Sequence, residues 1–233
     1  MGYGYYGMFD PTYILVLIGI IITMVASSNV KTTFAKYKKV ASRRGITGAQ
    51  AAAQILANAG LANIRIERIS GSLTDHYDPR AKVLRLSDDV YNSTSVASIG
   101  VAAHECGHAI QDQQSYAPLR IRNAIVPAVN IGTNLSWPII ILGVILSMNQ
   151  TLIQLGIVLF SLGVAFQLIT LPVEFDASSR ALRILADTGM LYEDEVPKTR
   201  KVLKAAALTY VAAAAASILQ LLRLVLLFGR RDD

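Results

Sequence analysis

His104, Glu105 and His108 are the residues whose types and spacing could do chemistry, within the stretch V-A-A-H-E-C-G-H-A-I from Val101 to Ile110. Two histidines four apart stand one above the other on a helix face, so one rigid element offers both imidazoles to a single Zn²⁺. Glu105, one residue round from His104, can reach a water on that metal rather than the metal itself. This H-E-x-x-H arrangement is one in which the metal acidifies a water and the glutamate takes its proton. Apart from these three, every residue from Val101 to Ile110 is uncharged. Such a helix is buried, and a buried His-Glu-His cluster needs a compensating partner. With three histidines in the chain and two of them here, a chance pattern on a surface helix is the weaker reading.

Two histidines and a water leave a catalytic zinc one protein ligand short, and the elements that must supply it depend on topology. Hydrophobic residues make up 53% of the 233-residue chain and charged residues 16%, against roughly 25% charged in soluble domains. That deficit points to lipid. The net charge of +6 sits in blocks beside apolar stretches, which reads as membrane-flanking charge and not as a nucleic-acid surface. The single cysteine, Cys106, excludes an internal disulfide and with it a disulfide-stapled secreted domain.

The first ten residues are rich in glycine and aromatics, suited to a membrane–water interface. The apolar run Tyr13 to Ala26, with its flanks, approaches the ~20 residues that span a bilayer. Basic residues come after it, at Lys31, Lys36, Lys38, Lys39, Arg43 and Arg44. An uncleaved anchor with its N-terminus outside follows from that order. The basic cluster either serves topology alone or also meets anionic lipid headgroups, at about 1 kcal/mol per residue. Residues 45–118 are too polar to span. Thr47 and Gly60 bracket a small-residue helix, Ile64 to Ile69 and Lys82 to Leu86 read as strands, and Ser93, Thr94 or Ser95 can cap the His104 helix. The strand at Lys82 to Leu86 is expected to offer its edge to an extended peptide. Ile131 to Met148 and Leu152 to Val173 form an apolar hairpin about Asn149-Gln150, with Gly156, Ser161, Gly163 and Ala165 allowing close approach. Ala205 to Phe228 is the last apolar stretch, and Arg223 inside it leaves open whether it spans or lies at the interface.

The second hairpin helix returns to the cytoplasmic side at L-P-V-E-F-D-A-S-S-R, residues 171–180, and brings Glu174 to the end of an apolar run. An unpaired carboxylate is costly there, so Glu174 is the expected third ligand, the alternative being a helix-end carboxylate at the headgroup boundary. Pro172 could start or kink a helix so as to aim it inward. Asp176 falls on another side of such a helix and suits a supporting or ion-pairing role. His76, in D-H-Y-D-P, could complete a three-histidine site or remain an ordinary loop residue. With Tyr77, Arg180 and Arg183 it is also a candidate for contacting substrate or stabilising an oxyanion. Cys106 reads as a small buried hydrophobe. Gly107, which costs a helix about 1 kcal/mol, reads as room for a neighbouring backbone or for substrate.

A-A-H-E-C-G-H-A-I-Q (102–111), L-P-V-E-F-D-A-S (171–178), Y-D-P (77–79) and L-R-L-S (84–87), behind an N-terminal anchor, resemble the YugP-type bacterial membrane zinc metallopeptidases. More distantly the chain is similar to gluzincin membrane proteases of the HtpX type. The resemblance implies His104, His108 and Glu174 as ligands of one Zn²⁺, Glu105 as general base, and a bacterial inner membrane as location. It departs at Ser178, where the distant relatives carry an aspartate that supports a ligand histidine.

The expectation is therefore a mainly α integral membrane protein, with transmembrane helices and a small α+β zincin-like (gluzincin) catalytic domain carrying H-E-x-x-H on a helix. Its parts are an anchor (1–30), a cytoplasmic zincin-like domain (31–120), a transmembrane hairpin (121–173), a cytoplasmic segment with the third ligand (174–204) and a transmembrane or interfacial helix (205–233). The expected activity is zinc-dependent endopeptidase action on membrane or membrane-proximal proteins at the cytoplasmic face. The partners are a protein or peptide substrate and the bilayer with its anionic headgroups, without nucleic acid. The rival is a non-proteolytic zinc-binding membrane scaffold or metal transporter.

Overall fold

A computed structural model describes residues 10–229. The glycine- and aromatic-rich start up to Phe9, and Arg230 and Arg231, lie outside the described residues. The elements run α1 (Tyr13–Tyr37), α2 (Gly48–Asn58), β1 (Arg65–Ile69), β2 (His76–Asp78), β3 (Val83–Ser87), α3 (Asp88–Tyr91), α4 (Val96–Gln113), α5 (Ala117–Ile145), α6 (Gln150–Asp187) and α7 (Val196–Phe228). The chain is mainly helical, and α1, α5, α6 and α7 are each long and apolar enough to cross a membrane. They contribute to two compact units, one of residues 10–26, 122–169 and 210–229, the other of residues 27–121 and 170–209.

The first unit holds the apolar parts of the long helices. Gly156 of α6 faces the Ser136 carbonyl on α5, where an added Cβ would stand 2.9 Å from that oxygen. Gly163 meets Thr133 of α5, and α5 adds Gly132 and Gly143 to the same seam. Small residues let backbones approach where lipid supplies no hydrophobic drive. The hairpin turns at Ser147 and Met148, both with positive φ, and closes with Asn149 N–H donating to the Gly143 carbonyl at 2.8 Å. Asn149 Oδ1 then accepts from Leu152 N–H and starts α6. Arg223, awkward in an apolar stretch, lies 3.8 Å from Asp10 Oδ2 and stacks over the Tyr13 ring at 4.3 Å. Partners of both kinds make its charge tolerable inside α7.

The second unit has a core of aliphatic side chains. Here α1 does not stop at Ala26 but runs on through Lys31 and Lys36, because no glycine or proline follows Ala26 within it and Phe34 and Tyr37 pin it into the core. Thr47 and Gln50 form a reciprocal capping box at the start of α2. Strand β3 is central, parallel to β1 (Arg65↔Val83) and antiparallel to β2 (His76↔Arg85). Val83, Leu84 and Leu86 are fully buried, each worth about 1.5–3 kcal/mol. The expected free edge at Lys82 to Leu86 is thus wrong. Both sides of β3 are paired, and the edges are β1 and β2, the latter read as loop from its proline and aspartates. Ser95 Oγ accepts from Ser98 N–H and caps α4. Helix α6 runs unbroken through Pro172, which therefore neither starts nor ends it.

Candidate metal centre

Helices α4 and α6 position the donor atoms. Their approach is set at Gly107, where a Cβ would stand 2.7 Å from the Ala177 carbonyl oxygen and 3.1 Å from its Cα. This neighbouring backbone is one of the two uses the sequence allowed for Gly107. Ala177 lies between Glu174 and Ser178 on α6, so the close contact brings both against the histidine face of α4. Glu174 Oε2 is 3.3 Å from His104 Nε2 and 3.6 Å from His108 Nε2. The three ligating atoms lie within 4.8 Å of one another. Two donors each about 2.05 Å from a tetrahedral ion stand roughly 3.3 Å apart, so the spacing fits one Zn²⁺.

The far side of each imidazole is tied down. His108 Nδ1 pairs with Gln111 Oε1 at 3.0 Å, and His104 Nδ1 with Ser178 Oγ at 3.1 Å. When Nδ1–H donates to those oxygens, each Nε2 turns its lone pair to the metal position. Gln111 is fully buried and its Nε2 donates to the Val173 carbonyl and to Asp176 Oδ2, both at 2.8 Å. Asp176 in turn accepts from Arg180 Nε, and Arg180 Nη1 reaches Gln114 Oε1. Burial would lower the His108 imidazole, but Glu174 and Glu105 outweigh it and hold the ring above its ordinary value. The negative field that favours an imidazolium favours a metal cation at the same place.

Glu105 is buried and its Oε2 accepts the Tyr77 backbone N–H at 3.1 Å, so strand β2 ties down a carboxylate whose charge is felt by His108. The Tyr77 hydroxyl donates to Asp112 at 2.8 Å, and burial followed by that carboxylate pushes the phenol well above its usual range. His76 is not among the converging donors. Its Nδ1–H donates to the Thr74 carbonyl at 2.9 Å and its ring is exposed on β2. Arg180 works through Asp176, and Arg183, nine residues after Glu174, is exposed on the opposite side of α6. Cys106 faces α2, with Sγ 3.7 Å from the Ala52 carbonyl, and burial pushes its thiol far up.

Gln111 was not among the sequence candidates, although its place three residues after His108 on one helix was the available signal. Ser178 was read as a gap in the support of the site. Instead its hydroxyl supports His104, while Asp176 acts on His108 through Gln111.

Residues 12–229 match the family described as "putative neutral zinc metallopeptidase". The chain belongs to this family. It is also 49% identical over 209 residues to a Bacillus subtilis (strain 168) protein named "putative membrane protease YugP", covering 89% of this chain and 92% of that one. No solved structure matches. The family and the His104, His108 and Glu174 donor set agree on zinc.

Proposed function

We propose that the protein is a zinc-dependent endopeptidase embedded in the bacterial inner membrane, cutting membrane or membrane-proximal proteins at the cytoplasmic face. The observation that carries this reading is the convergence of two histidines from α4 and a glutamate from α6; Glu105 follows His104 on α4 and its charge acts on His108. His104, His108 and Glu174 would hold the ion. A bound zinc supplies an acidified water and a Lewis acid for the scissile carbonyl. Glu105 would act as the general base and then the general acid, its carboxylate accepting a proton from the attacking water and returning it to the leaving amine. Tyr77 N–H keeps the carboxylate aimed, and Gln111, Ser178 and the Asp176–Arg180 pair orient the histidines. The short edge strand β2 beside Glu105 is where an extended peptide would lie. His76 and Tyr77 are then the residues nearest to it.

The basic residues from Lys31 to Arg44 support a cytoplasmic site by the positive-inside rule and face anionic headgroups, which are the second partner. A scaffold with a closed zinc site would recruit His76 as fourth ligand, and its bond to Thr74 speaks against that.

Glu105→Gln tests the proposal. In full-length protein in detergent, the variant should keep one zinc per chain while cleavage of a casein or membrane-protein substrate falls by about 10²–10⁴. Chelation should stop the wild type and added zinc restore it. Wild-type rates from Glu105→Gln would sink the assignment.

A further inference from the structure

Away from the metal, one face of α1 (Asn29, Thr33, Lys36, Tyr37) and one face of α7 (Lys201, Lys204, Ala205, Leu208) line a cavity of about 390 Å³. Both sets follow helical spacing, so each is a single continuous stripe. Three ammonium groups share this cavity. Just past the end of α1 Lys38 pairs with Asp89, and on α7 Lys198 pairs with Asp194, but no carboxylate among the described residues lies within ion-pair distance of Lys36, Lys201 or Lys204. A concave site with three uncompensated positive charges calls for an anion.

The order of the lining residues says which kind. Asn29 follows the apolar stretch Tyr13 to Ala26 by three residues, about 4.5 Å of helix. Ala205 and Leu208 lie at the start of the apolar stretch Ala205 to Phe228 of α7. Amide, hydroxyl and aliphatic groups thus stand within or nearest the apolar stretches, and the lysines lie on the polar side of them, Lys36 ten residues after Ala26 and Lys204 directly before Ala205. An amphipathic anion matches that gradient, with a tail on the apolar side and a phosphate among Lys36, Lys201 and Lys204. Tyr37, buried beneath, carries Lys36 Nζ at 5.6 Å from its ring centre and narrows that ammonium's range.

We infer that this cavity is a discrete binding site for the headgroup phosphodiester of an anionic phospholipid, one per chain. The inference rests on the membrane-embedded reading but not on the peptidase chemistry, so zinc content and cleavage in detergent are independent of it.

Full-length protein in a neutral detergent is titrated with phosphatidylglycerol or phosphatidylcholine, and bound lipid is counted by native mass spectrometry. One phosphatidylglycerol should saturate each chain, with phosphatidylcholine leaving the site unfilled. Lys204→Gln should weaken the lipid about fivefold, and Lys201→Gln with Lys204→Gln about 25-fold. Lys31→Gln and Lys39→Gln, in the same basic stretch but outside the cavity, should change it less than twofold. Circular dichroism checks the helices, and Lys204→Arg should recover most of the affinity. Equal losses at Lys31 and Lys39 would reduce the effect to a diffuse surface field and overturn the site. Displacement by millimolar inorganic phosphate, or by an acidic peptide, would assign the cavity to a soluble anion or a protein segment instead and equally overturn it.

Discussion

The two units of the chain solve opposite packing problems with the same helices. In the unit made of residues 10–26, 122–169 and 210–229, large aliphatic side chains point outward. Ile14, Met24, Ile131, Ile145 and Val158 are each 60% or more exposed, and glycine seams hold the helices together. In the other unit the aliphatic side chains turn inward, and the buried polar groups are fixed by named partners. Gln111 spans three acceptors and donors, Glu195 accepts from Arg43 and Tyr192 N–H, and Thr199 donates to the Val96 carbonyl. Helix α6 passes from one rule to the other within its length, from Gly156 and Gly163 to Glu174 and Ser178. A glycine contact in the first unit is therefore about helix association, and one in the second is about where a donor atom stands.

Gly107→Val against Gly156→Val breaks that comparison most sharply. Each added side chain meets a backbone carbonyl, Ala177 for the first and Ser136 for the second. Overpacking of this kind costs typically 1–3 kcal/mol, at times more. At Gly107 the neighbouring α6 must move, and Glu174 and Ser178 move with it, so zinc should be lost entirely. Gly156→Val should lower the melting temperature yet keep one zinc per chain. Full zinc occupancy in Gly107→Val would mean that the close approach does not set the site.

Gln111→Ala is the next largest. It removes the partner of His108 Nδ1 and leaves the Val173 carbonyl and Asp176 to find others. The loss of a buried hydrogen-bonding group costs about 1–3 kcal/mol, and zinc affinity should fall 10–100-fold in chelator competition. Ser178→Ala, which takes one hydroxyl from His104, should fall at the low end of that range. If Ser178→Ala costs more than Gln111→Ala, the histidines are oriented by something other than these bonds.

Those two residues also mark what could be read without coordinates. His104 and His108 were legible because helix periodicity alone places them together. Glu174 required a topology argument, from the charge after α1 to a helix that folds back, and the hydrogen bonds around it are tertiary events with no local spacing to announce them. The strand order was not legible either. β2 is three residues long beside a proline, and it pairs with β3 opposite the buried Val83 and Leu84, which its own pattern does not announce. The continuation of α1 past Ala26 was hidden because lysines end an apolar run without ending a helix.

In the lipid-facing unit the corresponding polar feature is Arg223. Arg223→Leu should cost about 1 kcal/mol, the scale of a cation–π contact with a long ion pair, and leave zinc stoichiometry and cleavage unchanged. Arg223→Lys should recover less than half, since an ammonium lacks the planar stack on Tyr13. A loss of zinc on either change would show that this charge serves the site.

The smallest effect belongs to the water-facing surface of the second unit. Hydrogen bonds from Lys38 and then Ser72 hold the Asp89 carboxyl below its ordinary value. A carboxyl lowered in the fold stabilises it fully above its unfolded value of about 3.9, and that contribution fades as pH falls through the folded value. Lys38 and Asp89 keep 40% and 28% of their side chains exposed, so solvent screening limits the pair to less than about 1 kcal/mol. Asp89→Asn should therefore melt slightly below wild type near neutral pH, with the gap closing as pH falls below about 4 and through the folded value. Both proteins are compared with chelator present, so that loss of metal in acid does not enter the difference. A gap that stays constant with pH would mean that Asp89 contributes through its contact with Ser72 regardless of charge, and that charge on this surface adds nothing to the fold.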